Sequence, residues 1–206
     1  MINNDGESNL FNEYLEESKY IDFHNHDVMA VADRFRKEAK DTLSFIEAAY
    51  LFVRDNIHHS WDVQDKRVTV SASDVLREGV GICWAKANLL AALLRSNGVP
   101  AGFSYQRLML GETSDTGYCI HALNTVYLYS LNKWIRLDAR GNKEGVNAQF
   151  SIDEEKLAFQ ACSEGEIDYK DNHSYPDIGL MKVLEENNDA LEMCLYHLPD
   201  QLSYDK

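Results

Sequence analysis

Three residues of this chain are of the types that together activate a nucleophile: Cys83, His121 and Asp138. A cysteine attacks as its thiolate, and positive charge nearby favours that form. The stretch "VGICWAKANLLAALLRSNGVPAG" puts Cys83 at the expected start of a helix, where free N–H groups and the positive end of the dipole favour an anion. Gly81, two residues earlier, leaves room for a close backbone approach. A thiolate in this role needs a base, and the base needs a group to orient it. His121 lies in "YCIHALNTVYLY" and Asp138 in "KWIRLDA", two strand-like segments joined by the turn-like "SLN". A hairpin loop of two or four residues puts His121 and Asp138 on the same sheet face. A three-residue loop without a bulge separates them. Taken singly, a cysteine in an apolar helix reads as a small core residue, a strand histidine as structural and a post-strand aspartate as part of a turn. Together they follow the order of a Cys–His–Asp site, with the nucleophile on a helix and its partners on strands.

The elements that must hold these residues are legible in outline. "DVMAVADRFRKEA" reads as a helix starting on an N-cap at Asp27. "TLSFIEAAYLFVRDNI" spaces Leu43, Ile46, Ala49, Tyr50, Val53 and Ile57 along one helical face. "SASDVLREG" opens with a capping box, Ser71 and Asp74, and stops at Gly79. The helix after Cys83 is apolar nearly all round, through Leu89, Leu90, Leu93 and Leu94, so it must be packed on most sides. Asn97, Gly98 and Pro100 end it. "AGFSYQRLML" then reads as a strand, "GETSDTG" as a loop, and the hairpin follows. From Arg140 on, the sequence is acidic and mixed, with a helix expected to start at Pro176. The class is α+β, helices first and an antiparallel sheet after. A single domain over 1–206 is expected, with its core at about 42–150 and a C-terminal cladding segment at 151–206.

Bulk properties narrow the function. With 45% hydrophobic and 11% aromatic residues the chain has a packed core. The net charge of -14 repels phosphate backbones, so nucleic acid is not an expected partner. No apolar run approaches the ~20 residues of a membrane span. "MINNDGESNL" carries no export signal, so the expected compartment is the cytoplasm. The four cysteines, Cys83, Cys119, Cys162 and Cys194, are widely spaced, which disfavours a zinc knuckle.

"GVGICWAKANLLAALLRSNGVPAG" and "YCIHALNTVYLYSLNKWIRLDARGNK" resemble the core of the transglutaminase-like superfamily. The shared pattern is a Gly-x-Cys helix start, an Ala/Leu-rich helix ending in "GVPA", His-Ala in a strand, and Trp-x-x-x-Asp in the next. It spans about Phe45 to Phe150, and "VRDNIHHSWD" and "DARGNKEGVNAQF" resemble a bacterial branch. The resemblance implies a papain-like fold, with Cys83 as nucleophile, His121 as general base then acid, and Asp138 as orienter. It implies attack on an amide carbonyl, a thioester, and release to water or to an amine. A peptide or protein substrate, or a small amide, follows from it, with no cofactor and no metal. Hydrolysis is favoured over acyl transfer to an amine, because no calcium-dependent activation is suggested and the flanking β-domains of animal cross-linking enzymes are not seen. A non-catalytic binding module on the same scaffold is the third reading.

The backbone N–H of Cys83 is the natural first oxyanion donor. Trp61, Trp84, Gln106 and Arg140 are candidates for the second donor or for substrate contact. Arg140, Asn142 and Lys143 either bind a substrate carboxylate or shape a turn through Gly141. Cys119, two residues before His121, is expected on the same strand face, as a wall residue or as a redox partner of Cys83. "DFHNHD" (22–27) reads as a polar lead into a helix rather than a metal site, and His58-His59 as histidines at a helix end.

Overall fold

The structure is a computed structural model that describes residues 11–111 and 113–205. The "MINNDGESNL" segment lies outside the described residues. Two helices come first, α1 (His26–Glu38) and α2 (Thr42–Asn56). A short crossing follows: β1 (His58–His59), α3 (Ser60–Val63), α4 (Ala72–Glu78) and β2 (Val80–Gly81). The central helix α5 (Cys83–Arg95) leads to the strands β3 (Ala101–Met109), β4 (Tyr118–Leu128) and β5 (Lys133–Leu137). Strand β6 (Ile167–His173) and helices α6 (Ile178–Glu186) and α7 (Ala190–Tyr196) complete the α+β architecture.

Local chemistry sets the helix starts. The cap of α1 is Asn25, whose side chain accepts from the Asp27 N–H, so Asp27 falls inside the first turn instead of preceding it. A capping box of Asp41 and Ser44 opens α2, and one of Ser71 and Asp74 opens α4, which ends at Gly79 in the left-handed region. Helix α6 is capped by Asp177, which accepts from the Leu180 N–H, so Pro176 lies outside the helix it was expected to start. By contrast α5 has Ile82 at its N-cap and no side-chain cap. Its first-turn N–H groups are left for something else.

From Trp84 to Arg95 every residue of α5 is buried. Leu89, Leu90, Leu93 and Leu94 have no exposure, and each such side chain contributes about 1.5–3 kcal/mol of burial. Phe45, Ile46, Ala49, Tyr50 and Val53 of α2 are buried in the same core. The sheet is antiparallel throughout, in the order β5-β4-β3-β6. Asn124 of β4 donates to the Ala87 carbonyl at 3.0 Å, joining the sheet to α5. The β4–β5 loop has four residues, Tyr129 to Asn132, between the paired Leu128 and Lys133. That length gives the register that puts His121 and Asp138 on one face.

Residues 151–206 do more than clad the domain. They supply the fourth strand, β6, and part of the cavity described next. "IDYKDNH" has no apolar alternation because β6 is a half-exposed edge strand.

Candidate active site

A cavity of about 560 Å³ opens at the start of α5. Cys83 lies in its wall, half-buried, with His121 beside it. The way the chain reaches this point is constrained. Gly81 pairs with His59 in the short parallel ladder β1–β2, and a Cβ on Gly81 would stand 2.8 Å from the Thr69 hydroxyl and 3.3 Å from the Ala85 Cβ. Only glycine lets the backbone pass there to deliver Cys83. Trp84 fixes the next position: its indole N–H donates to the Ile120 carbonyl at 2.8 Å, tying the helix start to the strand residue before His121.

His121 Nε2 lies 2.9 Å from Asp138 Oδ2, which leaves Nδ1 for the thiol. Asp138 has no exposure, and its other contacts hold it still. The Arg140 N–H donates to Oδ1 at 3.1 Å and the Ala158 N–H to Oδ2 at 2.9 Å. The Phe159 ring stands edge-on to the imidazole, with centroids 5.2 Å apart. Each ring nitrogen of His121 therefore has its assignment, and the ring has a wall behind it.

The electrostatics separate this thiol from its neighbours. Burial pushes the Cys83 thiol up, but His121's charge and hydrogen bond, with the Ala122 N–H, bring it below its ordinary value. Burial pulls His121 down, yet Asp138 and Cys83 together carry it well above the ordinary imidazole range. Burial raises Asp138, and the His121 charge with the two N–H donors carries it below the usual carboxylate value. The favoured state is a thiolate–imidazolium pair backed by a carboxylate. Cys119 and Cys194 line the same cavity, and burial raises their thiols to about 12 and about 11. Cys119 stands where a wall residue was expected.

The remaining sequence candidates fall in different places. Trp61 is in the cavity wall and 37% exposed. Trp84 also lines the cavity, but its N–H is committed to Ile120, so it is not an oxyanion donor. Gln106 is buried in β3 opposite His121 and does not line the cavity. Its amide donates to Asp168 at 3.4 Å, its register partner on β6, so the expected substrate contact is not made. Arg140 lines the cavity and makes a two-pronged pair with Asp62.

Other residues at the site carried no such expectation. His59 is at a helix end, but as the N-cap of α3 and not in the last turn of α2, which stops at Asn56; β1 carries it into the cavity wall. Its partner in space, Gly81, lies far along the chain and could not be guessed from spacing. Lys86, one turn beyond Cys83, is buried and donates to the carbonyls of Arg54, Ile57 and Arg140. It joins the start of α5 to the end of α2 and to the loop after Asp138. Ala158 contributes only a backbone N–H, which leaves no mark in the sequence. His24 and His26 are taken up in local pairs with Glu17 and Asp27.

The family model of the transglutaminase-like superfamily matches residues 29–139. Among solved structures the chain is similar to a candidate cysteine protease from Cytophaga hutchinsonii, at 20% identity and a TM-score of 0.51, over 68% of this chain and 43% of that one. It is also similar to the periplasmic domain of TgpA from Pseudomonas aeruginosa, at 17% identity and a TM-score of 0.46, over 61% of this chain and 45% of that one. The chain thus spans less than half the length of either. No curated protein matches it. The first likeness shows a shared fold. The family match takes in more than half of the chain, both Cys83 and His121, and ends just past Asp138: the chain belongs to the transglutaminase-like superfamily.

Proposed function

We propose that this chain is a thiol-dependent enzyme that breaks an amide bond, a peptide, isopeptide or small-molecule amide, by hydrolysis. The observation that carries the reading is Cys83 at an uncapped helix N-terminus, in contact with an imidazole that a fully buried carboxylate orients. The thiolate attacks the carbonyl carbon, and the carbonyl π-electrons move onto oxygen. The Cys83 N–H is the first donor to that oxyanion, with the helix dipole aligned behind it. The His121 imidazolium gives its proton to the leaving nitrogen, and the C–N bond breaks to leave a thioester on Cys83. The neutral imidazole then takes a proton from water, whose oxygen attacks the thioester and releases the acid. The likeness to a candidate cysteine protease supports hydrolysis as the outcome. A cavity of about 560 Å³ suits a few residues of a peptide or a small amide. The net charge of -14 supports such a substrate over nucleic acid. Among the described residues no helix is long and apolar enough to cross a membrane. The protein is proposed to work in a reducing compartment such as the cytoplasm, where the thiols lining its cavity persist as thiols.

The second reading, acyl transfer from a glutamine side chain to an amine, uses the same residues. Ammonia release from glutamine-containing peptides, measured with and without an added primary amine, separates the two. Hydrolysis predicts release of acid or ammonia at the same rate with no amine incorporated. Stoichiometric amine incorporation would replace the hydrolytic reading, and release by Cys83→Ala equal to wild type would remove both.

A further inference from the structure

One wall of the cavity carries two cations held by a single anion. Asp62, in the short helix α3, receives both prongs of the Arg140 guanidinium, with Nη2 to Oδ1 at 2.9 Å. The same Oδ1 accepts from Lys143 Nζ at 2.7 Å. Arg140 and Lys143 line the cavity, and Asp62 does not. The group therefore keeps one unit of positive charge, presented on the cavity side, in a protein whose net charge is -14. Two of the five Arg140 N–H groups go to Asp62 and one to the Gly141 carbonyl, so Nε, one Nη2 proton and two Lys143 protons remain for a further acceptor. Arg140 is 7% exposed, so its charge acts in a poorly solvated wall rather than on the open surface.

A second feature lies in the same wall. His59 lines the cavity, and its buried Nδ1 has no hydrogen-bond partner among the described residues. A buried ring nitrogen without a partner is unfavourable unless a ligand supplies one. The one carboxylate that lines the cavity among the described residues, Glu166, is already occupied by the N–H groups of Met109, Cys162 and Ser163. The Arg140 guanidinium and the His121 ring pack on the same Phe159 ring, at 5.8 and 5.2 Å from its centroid, which puts them within about 11 Å of each other.

The geometry points to a carboxylate subsite made by Arg140, Lys143 and His59, so that the substrate is an amide carrying a free carboxylate within about three residues of the bond attacked by Cys83. This rests on the proposed amide-cleaving role and names its substrate class. The carboxylate can be the end of a peptide chain or an acidic side chain; both offer the same pair of oxygens to a guanidinium.

Direct titration tests the subsite without using the thiol. Trp61 and Trp84 line the cavity, so tryptophan fluorescence reports its occupation. The probes are N-acetylglycine, which has a chain-terminal carboxylate, N-acetylaspartic acid α-amide, which has a side-chain carboxylate, and N-acetylglycinamide, which has neither. At least one acid is expected to bind wild type, at least roughly tenfold more tightly than the neutral amide, the scale of one charge-assisted hydrogen bond. The better acid identifies the source of the carboxylate. Lys143→Gln changes a rim residue that the fold does not depend on, and is expected to weaken that acid by roughly three- to tenfold. Arg140→Gln is expected to weaken it further. Equal binding of acids and amide, no binding of either acid, or unchanged affinity in Lys143→Gln would overturn the subsite. Alkylation of Cys83 is read separately, so failure of the nucleophile and failure of the subsite give different results.

Discussion

The cavity wall presents thiols in two settings. At the start of α5, Cys83 meets the His121 imidazole, a strand N–H and a helix terminus without a side-chain cap. Elsewhere in the wall, burial and the Cys83 charge push the thiols of Cys119 on β4 and Cys194 on α7 to about 12 and about 11, with no cation acting against them. Burial acts in the same direction on all of them. What differs is the charge supplied against it, and that charge comes from His121, which Asp138 keeps protonated. On the proposed function a reactive thiol is thus set apart by its neighbours, while the cysteine type alone makes a wall.

The largest expected effect is at the nucleophile. Cys83→Ala should lose at least about 10³-fold in kcat for amide cleavage and keep its fold, as circular dichroism would show. Turnover within tenfold of wild type would move the chemistry elsewhere. Asp138→Asn comes next, with kcat down roughly 10²- to 10⁴-fold. The sign of its pH effect follows from the cause. Asp138 raises His121, so without it the imidazolium is lost at lower pH and the alkaline limb of the rate profile moves down. An unmoved limb would mean that Asp138 only packs. Phe159→Ala frees the imidazole edge, and a drop of roughly tenfold in kcat is expected from looser positioning. The smallest effect belongs to the second setting. Cys194→Ser should change kcat by less than about threefold, with any effect falling on KM. A large loss in kcat there would erase the contrast between the two settings.

The part of the site made by side chains of telling type and order was legible in the sequence: Cys83 after its glycine, His121 in one strand, Asp138 at the end of the next. The core helix was legible for the same reason, since four leucines at helical spacing with a Gly98 stop leave little choice. What could not be read were contacts made by backbone or set by tertiary pairing. The Ala158 N–H on Asp138 has no sequence signature, and β6 lacks alternation because it is an edge. His59 reaches the cavity only through its pairing with Gly81, far along the chain. Trp84 and Gln106 show the converse limit. Their types suggest donors to a substrate, yet the Trp84 N–H goes to Ile120 and the Gln106 amide to Asp168.

The most direct measurement is site-resolved alkylation by iodoacetamide across pH, with each cysteine quantified by mass spectrometry, in wild type and His121→Ala. Cys83 should label with a midpoint well below the ~8.5 of a free thiol, while Cys119 and Cys194 stay unreactive through neutral pH. In His121→Ala the opposing charge is gone, burial prevails, and the Cys83 midpoint should rise above that value. A Cys83 midpoint at or above the free-thiol value in wild type, or one that His121→Ala leaves in place, would contradict the thiolate–imidazolium pair on which the proposed chemistry stands.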